Sequence, residues 1–455
     1  MSESPVVTKL DYLTEAIGLV QEMVRNRCVN PPGNEMRSIR SIEKYLSTYG
    51  VSCDIMESAP DRGNLLCVVK GSEKHPSLML GPGHVDVVPV ADPSIWTHDP
   101  FSGEIHDGCI WGRGTLDMLY VVAAQVVAFA QLWREGFRPR GDLKLLVVCD
   151  EEAAGTYGAE WLVNTHPDKV KVDYLITEGG GYEIAPHRVA YNHGEKGGTW
   201  LRLSTRGREQ HGSMPFGSDN AVLKMAEAVR RLACYRTPVS TDHIRDLVQD
   251  LPMSWLSKRI VTSRRLLDFA IRSISRTDPA RASLLYSISR MTISPNLCKG
   301  GTKVNVVPGE AYVDVDIRTL PGQDQEYVAE HLKRALGQAA KYVTIGPVPR
   351  EAGATPSYGN SSDKRSPLVE IMEQVAAECR SDDTKLVPML MPGVTDCRFF
   401  RQRWNTQAYG FSLFDSSIPV GELMRMAHGT DERISLGSID MSTRAYMEIA
   451  RRFLA

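Results

Sequence analysis

The sequence predicts an α/β fold in which a mostly parallel sheet is flanked by helices and an α+β domain is inserted into the chain. Three observations lead to this prediction. Short apolar runs alternate with helical stretches between about 64 and 190, strands of alternating apolar and polar residues follow, and the α/β pattern returns from about 355. We therefore expect a first domain of residues 1–196 and 355–455 and an inserted domain of residues 197–354.

The first domain is expected to begin with helices over about 10–30 and 35–49, where apolar residues recur at helical spacing. The clearest helix follows Asp117 and runs to about Glu135. Because it is apolar nearly all round, we expect it to pack between the sheet and other elements. The returning part carries a predicted helix at Leu368–Cys379, a strand at Gln407–Leu413 and a helix from about Ser438 to Phe453.

The inserted domain contains two strand–helix units. Its predicted elements are half-exposed strands at Thr199–Thr205 and Ala311–Arg318, helices at Asn220–Tyr235 and Gln325–Tyr342, and an edge strand at Val343–Val348. Between the units lies a basic helical segment, about 236–292, which fits a solvated helix face better than a nucleic-acid patch. We therefore expect a small antiparallel sheet with helices on one face.

The composition is that of an ordinary globular protein, with 42% hydrophobic residues, 24% charged residues and a net charge of −2 over 455 residues. This charge argues against a nucleic-acid or membrane partner bound through bulk charge. We expect no secretory signal, and the most apolar stretch, Tyr120–Trp133, is too short to span a bilayer. Nine cysteines without a CxxC pair fit reduced thiols, so we expect a cytoplasmic protein.

Several predicted apolar segments end in turns that carry metal-ligand side chains. These side chains are His84, Asp117, Glu152, Glu178 and His428, with Asp86 and Glu151 close beside two of them. In open α/β sheets, ligands bind beyond the carboxyl ends of the strands, so these groups would crowd into one cleft. Repulsion and burial would force several carboxylates to take up protons unless cations lay among them, which favours a metal site.

Taken singly, these residues have simpler interpretations. A lone histidine before a turn is usually a surface group, adjacent glutamates usually begin a solvated helix, and Asp117 could be an N-cap. Their convergence favours two metals that share Asp117, with Asp86 placed to orient His84 in the string His-x-Asp. One glutamate of the adjacent pair can bind metal, while the other moves a proton from water to a leaving amine.

The strings GHVDVVP, WTHDPFSG, WGRGTLDM, DEEAAGTYGAEWL and EGGG resemble the aminoacylase/carboxypeptidase family of co-catalytic zinc amidohydrolases. This family includes glutamate carboxypeptidase, acetylornithine deacetylase, succinyl-diaminopimelate desuccinylase and carboxypeptidase S-like enzymes. The resemblance implies a full set of roles: His84 and Glu178 on one metal, Glu152 and His428 on the other, Asp117 as bridge, Glu151 as general acid/base and Asp86 behind His84. It also implies a cis peptide bond between Asp117 and Met118.

The inserted domain extends the resemblance. The string around His211 resembles the family's lid motif, whose histidine reaches the partner subunit's active site and stabilises an oxyanion, which implies a homodimer formed through this domain. Asn305 and Arg318 lie in segments that resemble those binding the substrate carboxylate, a task that suits a planar guanidinium. Thr395 and Arg398 lie in a string that resembles the substrate loop.

We therefore expect a dinuclear metal-dependent hydrolase of amide bonds in small peptides or N-acyl amino acids, in which water activated between the metals attacks the carbonyl carbon. Two zinc ions are expected, although the same ligands accept cobalt or manganese. The choice between peptidase and deacylase stays open. The alternative is a catalytically inactive relative that binds ligands. A dinucleotide-dependent oxidoreductase would need GxGxxG and a serine hydrolase GxSxG, and the sequence has neither.

Overall fold

The computed structural model of the protein describes residues 11–349 and 356–455. The expectations for the first ten residues and for the boundary at 354/355 lie outside the described residues. The helices are α1 Asp11–Asn26, α2 Met36–Ser47, α3 Tyr120–Arg134, α4 Ala159–Thr165, α5 Pro167–Val170, α6 Ala221–Cys234, α7 Asp242–Gln249, α8 Trp255–Val261, α9 Leu267–Ile274, α10 Pro279–Ser287, α11 Gln325–Leu336, α12 Pro367–Arg380, α13 Cys397–Trp404, α14 Val420–Met426 and α15 Leu436–Phe453. The strands are β1 Asp54–Ala59, β2 Arg62–Val69, β3 Leu78–His84, β4 Ile105–His106, β5 Cys109–Trp111, β6 Leu143–Val148, β7 Tyr174–Thr177, β8 Glu183–Ala185, β9 Arg188–Glu195, β10 Gly197–Arg206, β11 Gln210–His211, β12 Thr292–Gly300, β13 Val306–Val307, β14 Glu310–Thr319, β15 Val343–Pro347, β16 Asn360–Ser361, β17 Lys385–Met391, β18 Gln407–Gly410 and β19 Arg433–Ser435.

The main sheet has ten strands, with the order β1-β2-β6-β3-β7-β18-β9-β16, and β8 and β17 also pair with β9. Its centre is parallel, because β3 pairs in parallel with β6 and β7, and β7 pairs in parallel with β18. Antiparallel pairs flank this centre at β1–β2, β2–β6 and β9–β18. The predicted α/β class is confirmed, although the sheet as a whole is mixed and its parallel pairing lies mainly at the centre.

Helix α3 is the predicted apolar helix, and it lies in the core, packed against α1 and α15. Among the described residues, Thr115–Arg134 is the one helical stretch long and apolar enough to cross a membrane, and 89% of its most apolar window is buried inside the protein. Burial on nearly all sides explains why so few positions of this helix are polar.

The inserted residues form a second sheet, which is antiparallel with the order β12-β14-β10-β15. We call this sheet, its helices α6 and α11 and the short antiparallel pair β11–β13 with its flanking residues the lid. The two helices cover one face, where Leu203, Met225, Val313 and Leu332 are buried together. Buried and part-exposed residues alternate along β14, as its sequence predicts, and β15 is an edge strand.

The basic helical segment, α7–α10, packs on the main sheet rather than on the lid sheet. Ile244, Leu247 and Leu285 lie in one apolar cluster with Val387 and Met389 of β17. The expected inserted domain therefore contains a segment that packs with the first domain. The physical reason is that β17 presents apolar side chains on this face, and the short amphipathic helices cover them.

The chain leaves and re-enters the first domain at neighbouring points. β10 begins at Gly197, and Asn360 pairs with Glu195 at the end of β9. Between β9 and β10, the buried amine of Lys196 donates to the carbonyl oxygens of Ser287 and Arg290 at 2.8 and 2.9 Å. The helical segment therefore contacts the connection between β9 and β10, where the chain leaves the first domain, as well as the main sheet.

Candidate active site

The candidate site lies at the carboxyl ends of the central parallel strands. β3 ends at His84, β6 is followed by a turn that holds Glu151 and Glu152, and β7 is followed by Glu178. Asp117 enters from a kinked turn before α3, where the backbone angles of Asp117 and Met118 are not helical. Parallel strands place their carboxyl ends at one edge of the sheet, so the topology gathers these groups as the sequence predicts.

Two groups of ligand-type atoms share Asp117. In the first group, His84 Nε2 lies 3.3 Å from Asp117 Oδ1 and 3.7 Å from Glu178 Oε2. In the second group, His428 Nε2 lies 3.2 Å from Asp117 Oδ2 and 3.2 Å from Glu152 Oε1. The two oxygens of the Asp117 carboxylate therefore face two different histidines.

These spacings fit two metal ions. Ligand atoms bound about 2.0–2.1 Å from a tetrahedral metal lie about 3.3 Å from one another. Glu152 Oε1 is buried and makes no hydrogen bond among the described residues, although it lies 3.2 Å from His428 Nε2. Because a buried charged oxygen without a donor is costly, this pair of atoms is suited to hold a cation between them.

The ionisable groups of the site strongly affect one another. Burial raises the pKa of Glu178 to about 7, and burial with repulsion from Glu178 raises the pKa of Glu151 well above its usual range. Burial opposes ionisation of Asp117, yet its close contacts with His428 and His84 hold its pKa below the usual range. The carboxylates of Asp117 and Glu152, each 3.2 Å from Nε2, raise the pKa of His428 to about 10. Competition for protons of this kind is expected where cations would neutralise the carboxylates.

Asp86 supports the site in a different way from the prediction. Nδ1 of His84 lies 3.0 Å from the Asp86 backbone carbonyl oxygen but 3.6 Å from its carboxylate. The carboxylate instead accepts hydrogen bonds from the backbone N–H groups of Glu151 at 3.2 Å and Glu152 at 3.0 Å, and from Asn30 at 2.9 Å. Asp86 therefore contacts His84 through its main chain and fixes the turn of the two glutamates through its side chain.

Glu432, which the sequence analysis does not single out, holds the turn around Asp117. Its buried carboxylate accepts hydrogen bonds from the backbone N–H groups of Gly114, Leu116 and Asp117 at 2.9, 2.8 and 3.1 Å. The peptide bond between Asp117 and Met118 is cis, which confirms the expectation from the resemblance. In the sequence, Glu432 could have been found from its position at the end of the string HGTDE, which begins with His428.

Glu178 is followed by three glycines, all at positive φ. A Cβ at Gly180 would lie 2.6 Å from the carbonyl oxygen of Gly410, and a Cβ at Gly181 would lie 2.4 Å from that of Ser412. Glycine alone permits such a close approach of two chain segments. The EGGG string therefore combines one ligand-type residue with the backbone packing that holds it beside β18.

A cleft of 1360 Å³ opens between the candidate metal groups and the lid. Its lining includes Glu151, Glu152 and His428 on one side and Gly198, Trp200 and Arg318 of the lid sheet on the other. The Arg318 guanidinium donates to the Asp316 carboxylate at 2.8 and 3.2 Å. Arg398 also lines the cleft and donates to the carbonyl oxygens of Thr395 and Ala154. Two of the predicted substrate-binding residues, Arg318 and Arg398, thus reach the cleft.

The three residues predicted to bind the oxyanion or the substrate besides these arginines do not line this cleft. His211 lies on the exposed strand β11 of the lid, and Asn305 is next to it, since its carbonyl oxygen accepts from the Gly212 N–H. Thr395 is buried, and its N–H and hydroxyl both donate to Glu195. Within one subunit, His211 and Asn305 therefore remain apart from the metal groups. The roles predicted for these three residues stay predictions.

A further buried carboxylate, Asp396, lies beside the turn that carries the two glutamates. Its side chain is 3% exposed, and neither carboxylate oxygen has a hydrogen-bond partner among the described residues. A Cβ at Gly155 would lie 2.5 Å from Asp396 Oδ1, so the glycine makes room for the carboxylate. Burial raises the pKa of Asp396 to about 7. Sequence reasoning singled out Thr395 and Arg398 on either side and passed over this residue.

Comparison with known proteins decides the family. The sequence model of peptidase family M20/M25/M40 matches residues 82–452, which are most of the chain and include all five candidate metal ligands. The chain belongs to this family. As a member of peptidase family M20/M25/M40 it is a metal-dependent hydrolase, which confirms the class of protein and of enzyme that the sequence predicts.

Relatives within this family cover most of the chain. Probable carboxypeptidase S-like 2 of Dictyostelium discoideum is 27% identical over 385 residues, which are 81% of this chain and 70% of the relative. Succinyl-diaminopimelate desuccinylase of Parvibaculum lavamentivorans is 25% identical over 450 residues, 97% of this chain and 96% of the relative. The structure of the M20 family metallo-carboxypeptidase Sso-CP2 from Sulfolobus solfataricus matches with a TM-score of 0.72 at 18% identity, covering 96% of this chain and 99% of that one. This structural likeness shows the fold.

Proposed function

We propose that the protein is a dinuclear hydrolase of amide bonds in small peptides or N-acyl amino acids. The observation that carries this proposal is the Asp117 carboxylate, whose two oxygens face two different histidine–carboxylate groups. A shared carboxylate of this kind suits two metal ions that act on one substrate. Family membership supports hydrolysis, and the shared ligand supports two metals rather than one.

The protein's own residues would hold the metal ions and the substrate in position and would transfer protons. Divalent ions bound to these groups would polarise the amide carbonyl and lower the pKa of a water molecule. Glu151 lines the cleft, and its backbone N–H is held by Asp86. Its raised pKa suits a group that takes a proton from water and returns it to the leaving nitrogen.

The proposal includes zinc, a homodimer and a cytoplasmic location. Two imidazoles with carboxylates at tetrahedral spacing suit zinc. The dimer is supported by the lid, where His211 and Asn305 lie outside their own cleft and the nearby side chains of Met214, Phe216 and Val304 are highly exposed. Exposed apolar groups around a predicted functional histidine favour a surface that a second lid covers. His211 would then reach the cleft of the other subunit.

Reconstitution tests this proposal. Metal-free protein, prepared by chelation, is loaded with Zn, Co or Mn and assayed against dipeptides and N-acyl amino acids. We expect two metal equivalents per subunit and turnover only in the loaded protein. The variant His75→Asn changes a histidine that packs on Phe453 and serves as a control. It should keep the two metal equivalents and the turnover. Two bound metals without turnover on any substrate would favour the inactive ligand-binding alternative.

A further inference from the structure

We propose that the cleft contains an aromatic-walled subsite that binds one large apolar group of the substrate. This inference rests on the proposed function and names its substrate class. The substrates are dipeptides or N-acyl amino acids with one carboxylate and one large apolar side chain or acyl chain. The subsite is formed by Tyr157 and Trp161 from the first domain and by Trp200 from the lid.

The three aromatic side chains line the cleft from both sides. Tyr157 and Trp161 follow the turn of Glu151, whereas Trp200 lies on β10 of the lid sheet. Tyr157 is 43% exposed and Trp200 is 39% exposed, although both are large and apolar. Pro347, Val348 and Val394 add further apolar side chains to the lining of the cleft. Aromatic groups that stay exposed inside a concave site are suited to bury part of a ligand.

The register of the lid sheet places this wall beside the predicted carboxylate-binding group. Trp200 lies opposite Asp316, and Gly198 lies opposite Arg318. Residues two apart on a strand share a face, so Gly198 and Trp200 lie on the same face of the sheet as Arg318. Because Gly198 has no side chain, Trp200 is the neighbour of Arg318 on that face. A substrate carboxylate held by Arg318 therefore leaves the adjoining side chain next to Trp200.

The charges of the lining favour a substrate with a single carboxylate. Three arginines line the cleft among the described parts of the chain: Arg62, Arg318 and Arg398. Arg62 is neutralised by two buried carboxylates, and Arg318 by Asp316 through Nε and Nη2. Arg398 donates to two carbonyl oxygens and forms no ion pair among the described residues, so it keeps its charge. The same cleft is also lined by four acidic residues, Asp150, Glu151, Glu152 and Glu160. A second substrate carboxylate would lie against this acidic lining, which disfavours dicarboxylate substrates.

Matched substrate pairs test the subsite. We expect kcat/KM to be at least about tenfold higher for Ala-Phe than for Ala-Glu, and for N-acetylphenylalanine than for N-acetylglutamate. Trp200→Ala should lower kcat/KM for the phenylalanine substrates about tenfold more than it lowers kcat/KM for N-acetylglycine. Trp200→Phe should keep most of the preference. The control Trp255→Ala, which changes a tryptophan that is 70% exposed on α8, should change neither value.

A binding measurement separates this inference from the proposed function. 4-Phenylbutanoate has one carboxylate, one apolar ring and no amide bond, so calorimetry reports its binding without turnover. We expect Trp200→Ala to weaken its Kd about tenfold and Trp255→Ala to leave it unchanged. The subsite is overturned if the glutamate substrates are preferred, or if the two tryptophan variants bind 4-phenylbutanoate equally. Absence of amide hydrolysis, with the binding difference intact, overturns only the proposed function.

Discussion

The two walls of the cleft differ in how completely a single subunit builds them. On the first-domain wall, side chains from separate strand ends lie 3.2–3.7 Å from one another around Asp117. On the lid wall, Arg318 reaches the cleft, whereas His211 and Asn305 do not line it. A parallel sheet brings the ends of its strands together within one domain. For side chains of an inserted domain, the distance to the metal groups depends on where that domain, or its copy in a second subunit, lies.

The largest effect is expected from Asp117→Ala. This change removes a ligand from both proposed metals, so it should lower kcat more than about 10⁴-fold and also reduce the metal content. Metal analysis and steady-state kinetics on the purified variant measure both. Retention of two metal equivalents would contradict the bridging role of Asp117. It would also contradict the view that the first-domain wall is complete within one subunit.

Glu151→Gln should separate chemistry from metal binding on the same wall. Loss of a general acid/base lowers kcat about 10²–10⁴-fold, while both metals should stay bound because the neighbouring Glu152 is the proposed ligand. The same two measurements apply. Near-full activity in this variant would show that another group carries the proton.

His211→Ala tests the lid wall. Loss of a donor to the oxyanion should lower kcat about 10²–10³-fold without loss of metal. Mixing this variant with Glu151→Gln should restore about a quarter of the wild-type activity after full subunit exchange, because each mixed dimer has one site with both groups. If proven exchange brings no recovery, the histidine does not act across subunits.

Asp86→Asn is expected to have a smaller effect and to resolve how Asp86 acts. Its carboxylate holds the N–H groups of Glu151 and Glu152, whereas its main chain contacts His84. We therefore expect kcat to fall about 10–100-fold while metal affinity stays close to normal. A drop of 10–100-fold in metal affinity would instead favour the predicted support of His84 by the carboxylate.

The smallest effect concerns pH. The nearby carboxylates of Asp117 and Glu152 raise the pKa of His428 in the metal-free protein to about 10. Below that pH the imidazole holds a proton that must leave when a metal binds, so affinity should rise about tenfold per pH unit from this proton alone. Competition with a chelator between about pH 6 and 8 gives the slope. A pH-independent affinity would show that His428 is not a ligand.

Sequence reasoning predicted the class of fold and the gathering of the metal groups because both follow from strong local patterns. Apolar runs followed by turns mark the strand ends, and the topology of a parallel sheet brings those ends together. His84, Asp117, Glu152, Glu178 and His428 could therefore be chosen as candidates from the sequence. The string resemblance added the assignment of each residue to one or both metals.

What sequence reasoning did not predict depends on contacts between distant segments. The helices α7–α10 look like part of the inserted domain because they lie within it in the chain. The surface that they cover is nevertheless provided by β17, which lies about a hundred residues further along the chain. Asp396 and Glu432 have no periodic signal, since their roles follow from the buried backbone and side chains around them. The carboxylate of Asp86 binds the turn of the two glutamates rather than His84, because the backbone N–H groups of that turn lie closer to it than the His84 ring does.

The adjacent crossing points at Gly197 and Asn360 have a consequence for evolution and for protein engineering. The first and last connections of the lid lie side by side, so the lid can be exchanged without cutting the main sheet. The exchanged chain is in two pieces, because removing α7–α10 as well would leave Val387 and Met389 of β17 facing water. A successful exchange would replace about 197–235 and 292–357 as two pieces and leave the intervening helices on the host. Specificity could then change with the lid while the metal wall stays intact.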